Sequence, residues 1–202
     1  MANSDTPFGL KPVRYLNGSP WNGQFRVYYV PSTDSTAIFK GDAVKQASTG
    51  ADSTGKYAAV TQATAGDAIR GVVIGFGSTP YQMYCPTDLE NKYRAASTAM
   101  YLAVVDDPNV VFEVQEDSAG NSCPATDVGF NANLVVGSGS TSTGVSGMEL
   151  DSSSAASTAT LQLKIMGLVD REDNELGDNA KWEVIINNHQ LKGYTGTTGV
   201  GT

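Results

Sequence analysis

The sequence predicts an all-β protein, a single compact β-sandwich or barrel-like domain of about eight to ten short strands. Three observations carry that expectation. Apolar residues recur at period two, most clearly in Thr158–Val169, where Leu161, Leu163 and Ile165 face one way and Gln162, Lys164 and Met166 the other. Turn clusters of Gly, Pro, Asn, Asp and Ser separate these runs at the spacing of sandwiches and barrels. Charged residues make up only 17% of the chain, against a usual ~25%. Ser and Thr fill the gap with 37 of the 202 residues, and Gly adds 22. Small, uncharged, turn-forming residues in that excess favour strands and loops over helices. A chain of this length buries roughly 70% of its surface on folding, so its core needs no metal or disulfide.

The N-terminal segment divides in two. In Thr6–Gly23, Pro7, Pro12 and Pro20 each remove a backbone donor and push the preceding residue towards extended geometry. The segment also carries Phe8, Leu10, Val13, Tyr15, Leu16 and Trp21, so it must bury apolar surface on its own domain or on a neighbouring subunit. Residues 1–23 are therefore expected to form an extended arm, separable from a β-domain over 24–192. A Gly/Thr-rich flexible tail is expected over 193–202. Gln24–Val30 is aromatic and β-branched and opens the β-domain as a strand.

The remaining elements follow in order. Pro31–Thr36 is a turn cluster, Ala37–Lys40 a short strand ended by Gly41-Asp42, and Ala43–Gln46 a weak continuation. The polar, low-complexity Ala47–Gly55 is expected as an exposed loop tip. Lys56–Gln62 is a strand, and Ala65-Gly66-Asp67 a turn. Ile69–Phe76 is the most apolar run, and Gly71 and Gly75 inside it point to a bulge or a close backbone approach. Gly77–Asn91 is irregular, with Tyr81, Met83 and Tyr84 available to pack down. Ala99–Val105 and Val110–Glu116, joined by Asp106-Asp107-Pro108-Asn109, read as a hairpin. Asp127–Val136 fits either a short strand or a helical turn, and Gly137–Gly147 is a loop. Asp170–Asn179 is a charged loop. Lys181–Asn187 is the last strand, with Trp182, Val184 and Ile186 on one face.

Several functional classes find little support in the residues. The net charge is -8 with no Lys/Arg block, so the electrostatic footprint of a nucleic-acid binder is missing. No run of ~18 apolar residues offers a membrane span, and MANSDTPFG carries no secretory signal. A Ser-His-Asp or Cys-His mechanism would have to use the one histidine, His189, which lies just after the last strand with no Gly-x-Ser-x-Gly elbow in the chain. Asp106 and Asp107 are adjacent and point apart, which suits a turn better than acid–base work. Asp170, Glu172, Asp173, Glu175 and Asp178 invite a calcium reading, but Gly177 is at the eighth position and not the sixth, so a solvated loop is preferred. Cys85 and Cys123 are 38 residues apart and read as free thiols. The expectation is a non-enzymatic protein with no catalytic residues, no metal and no cofactor.

Asp5-Thr6-Pro7-Phe8-Gly9-Leu10-Lys11-Pro12-Val13, then Leu16-Asn17-Gly18 and Tyr28-Tyr29-Val30-Pro31, resemble the N-terminus of head-decoration (cement) proteins of tailed bacteriophages. The resemblance continues through Gly41-Asp42-Ala43-Val44, Gly66-Asp67-Ala68-Ile69, Gly71–Phe76 and Tyr93-Arg94-Ala95-Ala96. It extends to Phe112–Asp117 and Trp182–His189, and so covers most of the chain. It implies a structural protein of the virion, made in the host bacterial cytoplasm and carried on the outer surface of the head. Such a protein clamps subunits of the major capsid protein against internal DNA pressure. It also implies self-association, as a homotrimer at local three-fold axes or a homodimer at two-fold axes. An N-terminal arm that lies over the capsid protein and can add a strand to it would place Pro7, Phe8, Gly9, Leu10, Lys11, Pro12, Val13, Tyr15 and Trp21 at that interface. The residues leave open whether the arm packs on its own domain. Three other classes remain: a tail or fibre subunit, a carbohydrate-binding module with Trp21 and Trp182 facing solvent, and a hydrolase built on His189.

Overall fold

The structure, a computed structural model, describes residues 3–84, 91–118, 122–192, 196, 197 and 199. It is all-β, with twelve strands and three single 3-10 turns among the described residues. The strands are β1 Lys11–Tyr15, β2 Arg26–Val30, β3 Ala43–Ala51, β4 Ala58–Gln62, β5 Gly71–Gly77 and β6 Met100–Val105. They continue as β7 Val110–Gln115, β8 Asn131–Ala132, β9 Leu134–Gly137, β10 Gly147–Leu150, β11 Leu163–Leu168 and β12 Lys181–Ile186. Five of them close into a barrel in the order β2-β4-β3-β5-β6, in which only the β2–β4 pair is parallel. Five more form an antiparallel sheet in the order β1-β7-β12-β11-β8, and β9 and β10 make a separate hairpin.

Period-two alternation divides the apolar residues between two cores. Tyr28, Val30, Val44, Val73, Leu102 and Val104 point into the barrel. Their strand neighbours Ala43, Val72 and Val105 point the other way, into a larger core shared with the sheet and the hairpin. Phe112, Val114, Trp182, Val184 and Ile186 supply the sheet's side of that core, in the alternation expected for Lys181–Asn187. Gly71 and Gly75 behave as expected. A Cβ on Gly71 would lie 2.4 Å from the Val105 carbonyl oxygen, and the β5–β6 register shifts between Val73 and Gly75.

Other expectations are corrected. The N-terminal segment is not a separable arm, because β1 pairs with β7 from Lys11↔Glu113 to Tyr15↔Val110 and Leu10 is 1% exposed in the shared core. Removing residues 1–16 would take a strand and a core side chain with them. Ahead of β1, the Thr6 N–H donates to Gln115 Oε1 at 3.2 Å and the Asn3 amide donates to the Glu175 carbonyl at 2.8 Å.

β6 and β7 are not a hairpin. Both edges of β6 are taken by β2 and β5 in the closed barrel, so β7 has no free edge there and joins the sheet between β1 and β12. The turn at Asp107, whose carboxylate accepts the Asn109 N–H at 2.8 Å, is thus the crossing between the two layers.

The expected loop Ala47–Gly55 is mostly strand, since β3 runs on to Ala51, which pairs with Ala58. Asp52 then closes the tip, accepting the Thr54 hydroxyl and the Lys56 and Tyr57 N–H groups. Ala37–Lys40 makes only two isolated bridges, Ile38↔Arg94 and Lys40↔Val145, because it passes from one neighbour to the next. Asp127–Val136 contains the end of a 3-10 turn and then β8 and most of β9. Of the tail, residues 196, 197 and 199 are described. Two of them are held: the Thr197 N–H donates to Asn187 Oδ1 at 2.8 Å and the Gly199 N–H to the Ser157 carbonyl at 2.9 Å. Cys85 lies outside the described residues, and Cys123 is a buried free thiol.

Candidate interaction surface

Gly9 and Gly41 build the surface. Both adopt left-handed backbone, at φ +72° and +98°, which an L side chain disfavours. They meet without side chains, so the Leu10 N–H donates to the Gly41 carbonyl at 2.9 Å and the Gly41 N–H to the Val73 carbonyl at 2.8 Å. Asp42 locks the same corner. Its buried carboxylate accepts the Phe39 N–H and the Gln62 amide, each at 2.8 Å, and the Ser146 hydroxyl. Burial pushes the Asp42 carboxyl above its ordinary value, and these three donors oppose the shift.

This junction of N-terminal segment, barrel and sheet leaves an open groove of about 410 Å³. Phe8, Leu10, Pro12, Val73, Ile74 and Val145 give it apolar walls. Lys11, Lys40, Arg171 and Lys181 line it as well, with Glu113 as the one carboxylate. Arg171 donates to Glu113 across 2.8 Å and also holds Asp173 at 3.0 Å, while Lys181 lies 3.7 Å from Asp173. Glu113 itself faces Glu183 across the β7–β12 register. Like charges directly opposite repel, and here each has its own arginine, Arg171 for Glu113 and Arg14 for Glu183.

The nine residues expected at an interface separate accordingly. Phe8, Lys11 and Pro12 line the groove with at least part of their surface open, whereas Leu10 lines it from the core. Gly9 is buried against Gly41, and Pro7 is half-buried outside the groove. Val13, Tyr15 and Trp21 are half-buried further along the segment, where Tyr15 and Trp21 pack on the core and the Trp21 N–H donates to the Val13 carbonyl at 3.2 Å. Sequence reasoning missed Lys40, Glu113, Arg171 and Lys181. They come from four separate stretches, and no local pattern marks them.

Strand addition at β1 is poorly served by its outer edge. Pro12 has no N–H, Trp21 occupies the Val13 carbonyl, and the Ser19 carbonyl occupies the Tyr15 N–H at 2.8 Å. The segment adds a strand to its own sheet instead.

Other candidate sites are closed. His189 is fully buried, and its Nδ1 accepts the Leu191 N–H at 3.0 Å. Burial, helped by Arg70, pushes its pKa down to about 4. Trp182 is fully buried and its indole N–H donates to Glu116 Oε2 at 2.9 Å, so it offers no face to a sugar. Burial beside Glu116 pushes the Cys123 thiol far up, which keeps it protonated. Among the described residues no three His, Cys, Asp or Glu side chains converge in a metal-binding group, and no helix is long and apolar enough to cross a membrane. The barrel exterior carries aromatic pairs, Tyr29 on Tyr101 at 5.3 Å and Phe25 on Tyr84 at 5.4 Å, with Tyr84 70% exposed. A search of family models, curated proteins and solved structures finds no match to this chain.

Proposed function

We propose that this chain is a non-enzymatic decoration protein of a tailed-phage head, binding the outer surface of the shell and bridging subunits of the major capsid protein. The observation that carries the reading is where residues of the resembling segments lie. Phe8-Gly9-Leu10, Gly41-Asp42-Ala43 and Val73 are distant in sequence, yet they meet at one junction through Gly9 against Gly41 and the Leu10–Gly41–Val73 hydrogen bonds. These segments pack together and border an exposed groove, which supports a protein whose work is to hold other protein surfaces. The contact surface is the fixed face around Phe8, Lys11 and Pro12. A surface already ordered loses little conformational freedom on binding, and repetition around a shell multiplies modest contacts.

The test is electron cryo-microscopy of tailed-phage heads lacking this protein, after incubation with the full chain. Ordered density on the outside of the head, bridging capsid subunits, is the expected result. Density confined to the tail would favour a tail or fibre subunit, and no saturable binding would end the decoration reading.

A further inference from the structure

We infer that the groove between the N-terminal segment and the barrel docks an acidic polypeptide segment carrying an apolar anchor. The inference rests on the decoration reading only in taking that segment from the shell protein.

Charge complementarity selects the occupant. The chain carries a net charge of -8, so an acidic partner is repelled by the molecule as a whole. In the groove the balance inverts, with four cations against the one carboxylate of Glu113. Two of the four are committed, Arg171 to Glu113 and Asp173, and Lys181 towards Asp173. The other two, Lys11 and Lys40, are exposed, and among the described residues neither ammonium has a hydrogen-bond or ion-pair partner. They flank the apolar surface of Phe8, Pro12 and Val145. Carboxylates reaching Lys11 and Lys40 would bring an adjacent apolar side chain onto that surface. The blunted edge of β1 favours recognition through side chains over strand pairing. A groove of the opposite sign to its surroundings also fixes where an acidic partner can land, which is how charge sets register at an interface.

The test uses a random Glu/Tyr copolymer as the acidic, apolar-bearing probe, titrated against the full chain at low and physiological salt. Lys11→Gln/Lys40→Gln is the test variant. Gln is chosen because Glu at position 11 would face Glu113 directly in the β1–β7 register. Lys56→Gln/Lys192→Gln is the control, removing the same charge from exposed lysines outside the groove. Wild type and control are expected to bind alike, and the test variant about tenfold more weakly with an unchanged melting curve. Equal binding by all three proteins overturns the inference, as does an equal loss in the control. If the variant instead loses self-association in sedimentation while copolymer binding persists, the groove belongs to a second copy of the chain and the inference also falls. Head binding is measured in parallel. Heads that bind wild type and test variant equally remove the groove from the shell contact while leaving decoration intact. Lysine-dependent copolymer binding without head binding keeps the groove and ends the decoration reading.

Discussion

Gly9 and Gly41 face each other with no room for a Cβ on either. A carbon added to Gly9 would lie 2.4 Å from the Gly41 carbonyl oxygen, and one added to Gly41 would lie 2.4 Å from that of Phe8. Both residues also have positive φ. Gly9→Ala therefore combines left-handed strain with a backbone clash, and is expected to cost about 3 kcal/mol. Gly18 is the internal comparison, because it has φ +86° but nothing within 4 Å of an added Cβ. Gly18→Ala should cost only about 1 kcal/mol, the left-handed penalty alone. Chemical denaturation of the two variants beside wild type measures the difference. Equal losses would mean that the Gly9–Gly41 contact does not hold the N-terminal segment down.

Arg94 is fully buried, and its guanidinium gathers two turns around itself. It donates to the carbonyls of Pro31 and Asp34 at 2.8 Å and Thr98 at 2.7 Å, to that of Thr36, and to Asp34 Oδ1 at 3.4 Å. Arg94→Ala strands these acceptors in the interior and is expected to cost about 3–5 kcal/mol. Lys offers a point charge without the planar fork, so Arg94→Lys should recover less than half of the loss. Thermal unfolding of both variants checks this, and a lysine variant as stable as wild type would show that charge alone holds the turns.

His189 and Glu149 give the stability curve two opposed slopes. The folded pKa of His189 is depressed from 6.5 to about 4. Its contribution is present above pH 6.5 and is lost as pH falls towards 4, because the unfolded chain takes up the proton first. The folded pKa of Glu149 is raised from 4.5 to about 7, by burial first and then by Asp5 and Asp117. Its contribution is full below pH 4.5 and is lost as pH rises through 7. Glu149→Gln should therefore be more stable than wild type at pH 8 and equal to it at pH 4, while the stability of His189→Gln relative to wild type should rise as pH falls from 6.5 to 4. Urea titrations from pH 4 to pH 8 read both. A Glu149→Gln advantage that grows towards acid would reverse the assignment.

Strand character was legible in most segments whose two faces differ, although β10, where Met148 and Leu150 alternate with Glu149, was not read as a strand. Trp182, Val184 and Ile186 alternate in the sequence and are all buried, because one face of β12 meets the core. The same reasoning missed the extension of β3 through Ser48 and Thr49, whose exposed hydroxyl side chains leave no apolar trace. It also joined β6 to β7, since a tight polar turn between two strands says nothing about whether an edge is free. Of the groove, the apolar and basic residues of the N-terminal segment were visible, while Lys40, Arg171 and Lys181 were not.

By itself the sequence determined the all-β class, most of the strands, a bulge or close backbone approach at Gly71 and Gly75, and the apolar character of the N-terminal segment. These are local properties, set by side-chain alternation and by the freedom of Gly and the constraint of Pro. Tertiary structure decided the division into a closed barrel and a sheet, the docking of Lys11–Tyr15 into that sheet and of Gly9 and Leu10 against Gly41, and the gathering of cations around Phe8. Those outcomes depend on which edges remain unpaired after the barrel closes and on contacts such as Gly9 with Gly41, 32 positions apart in the sequence.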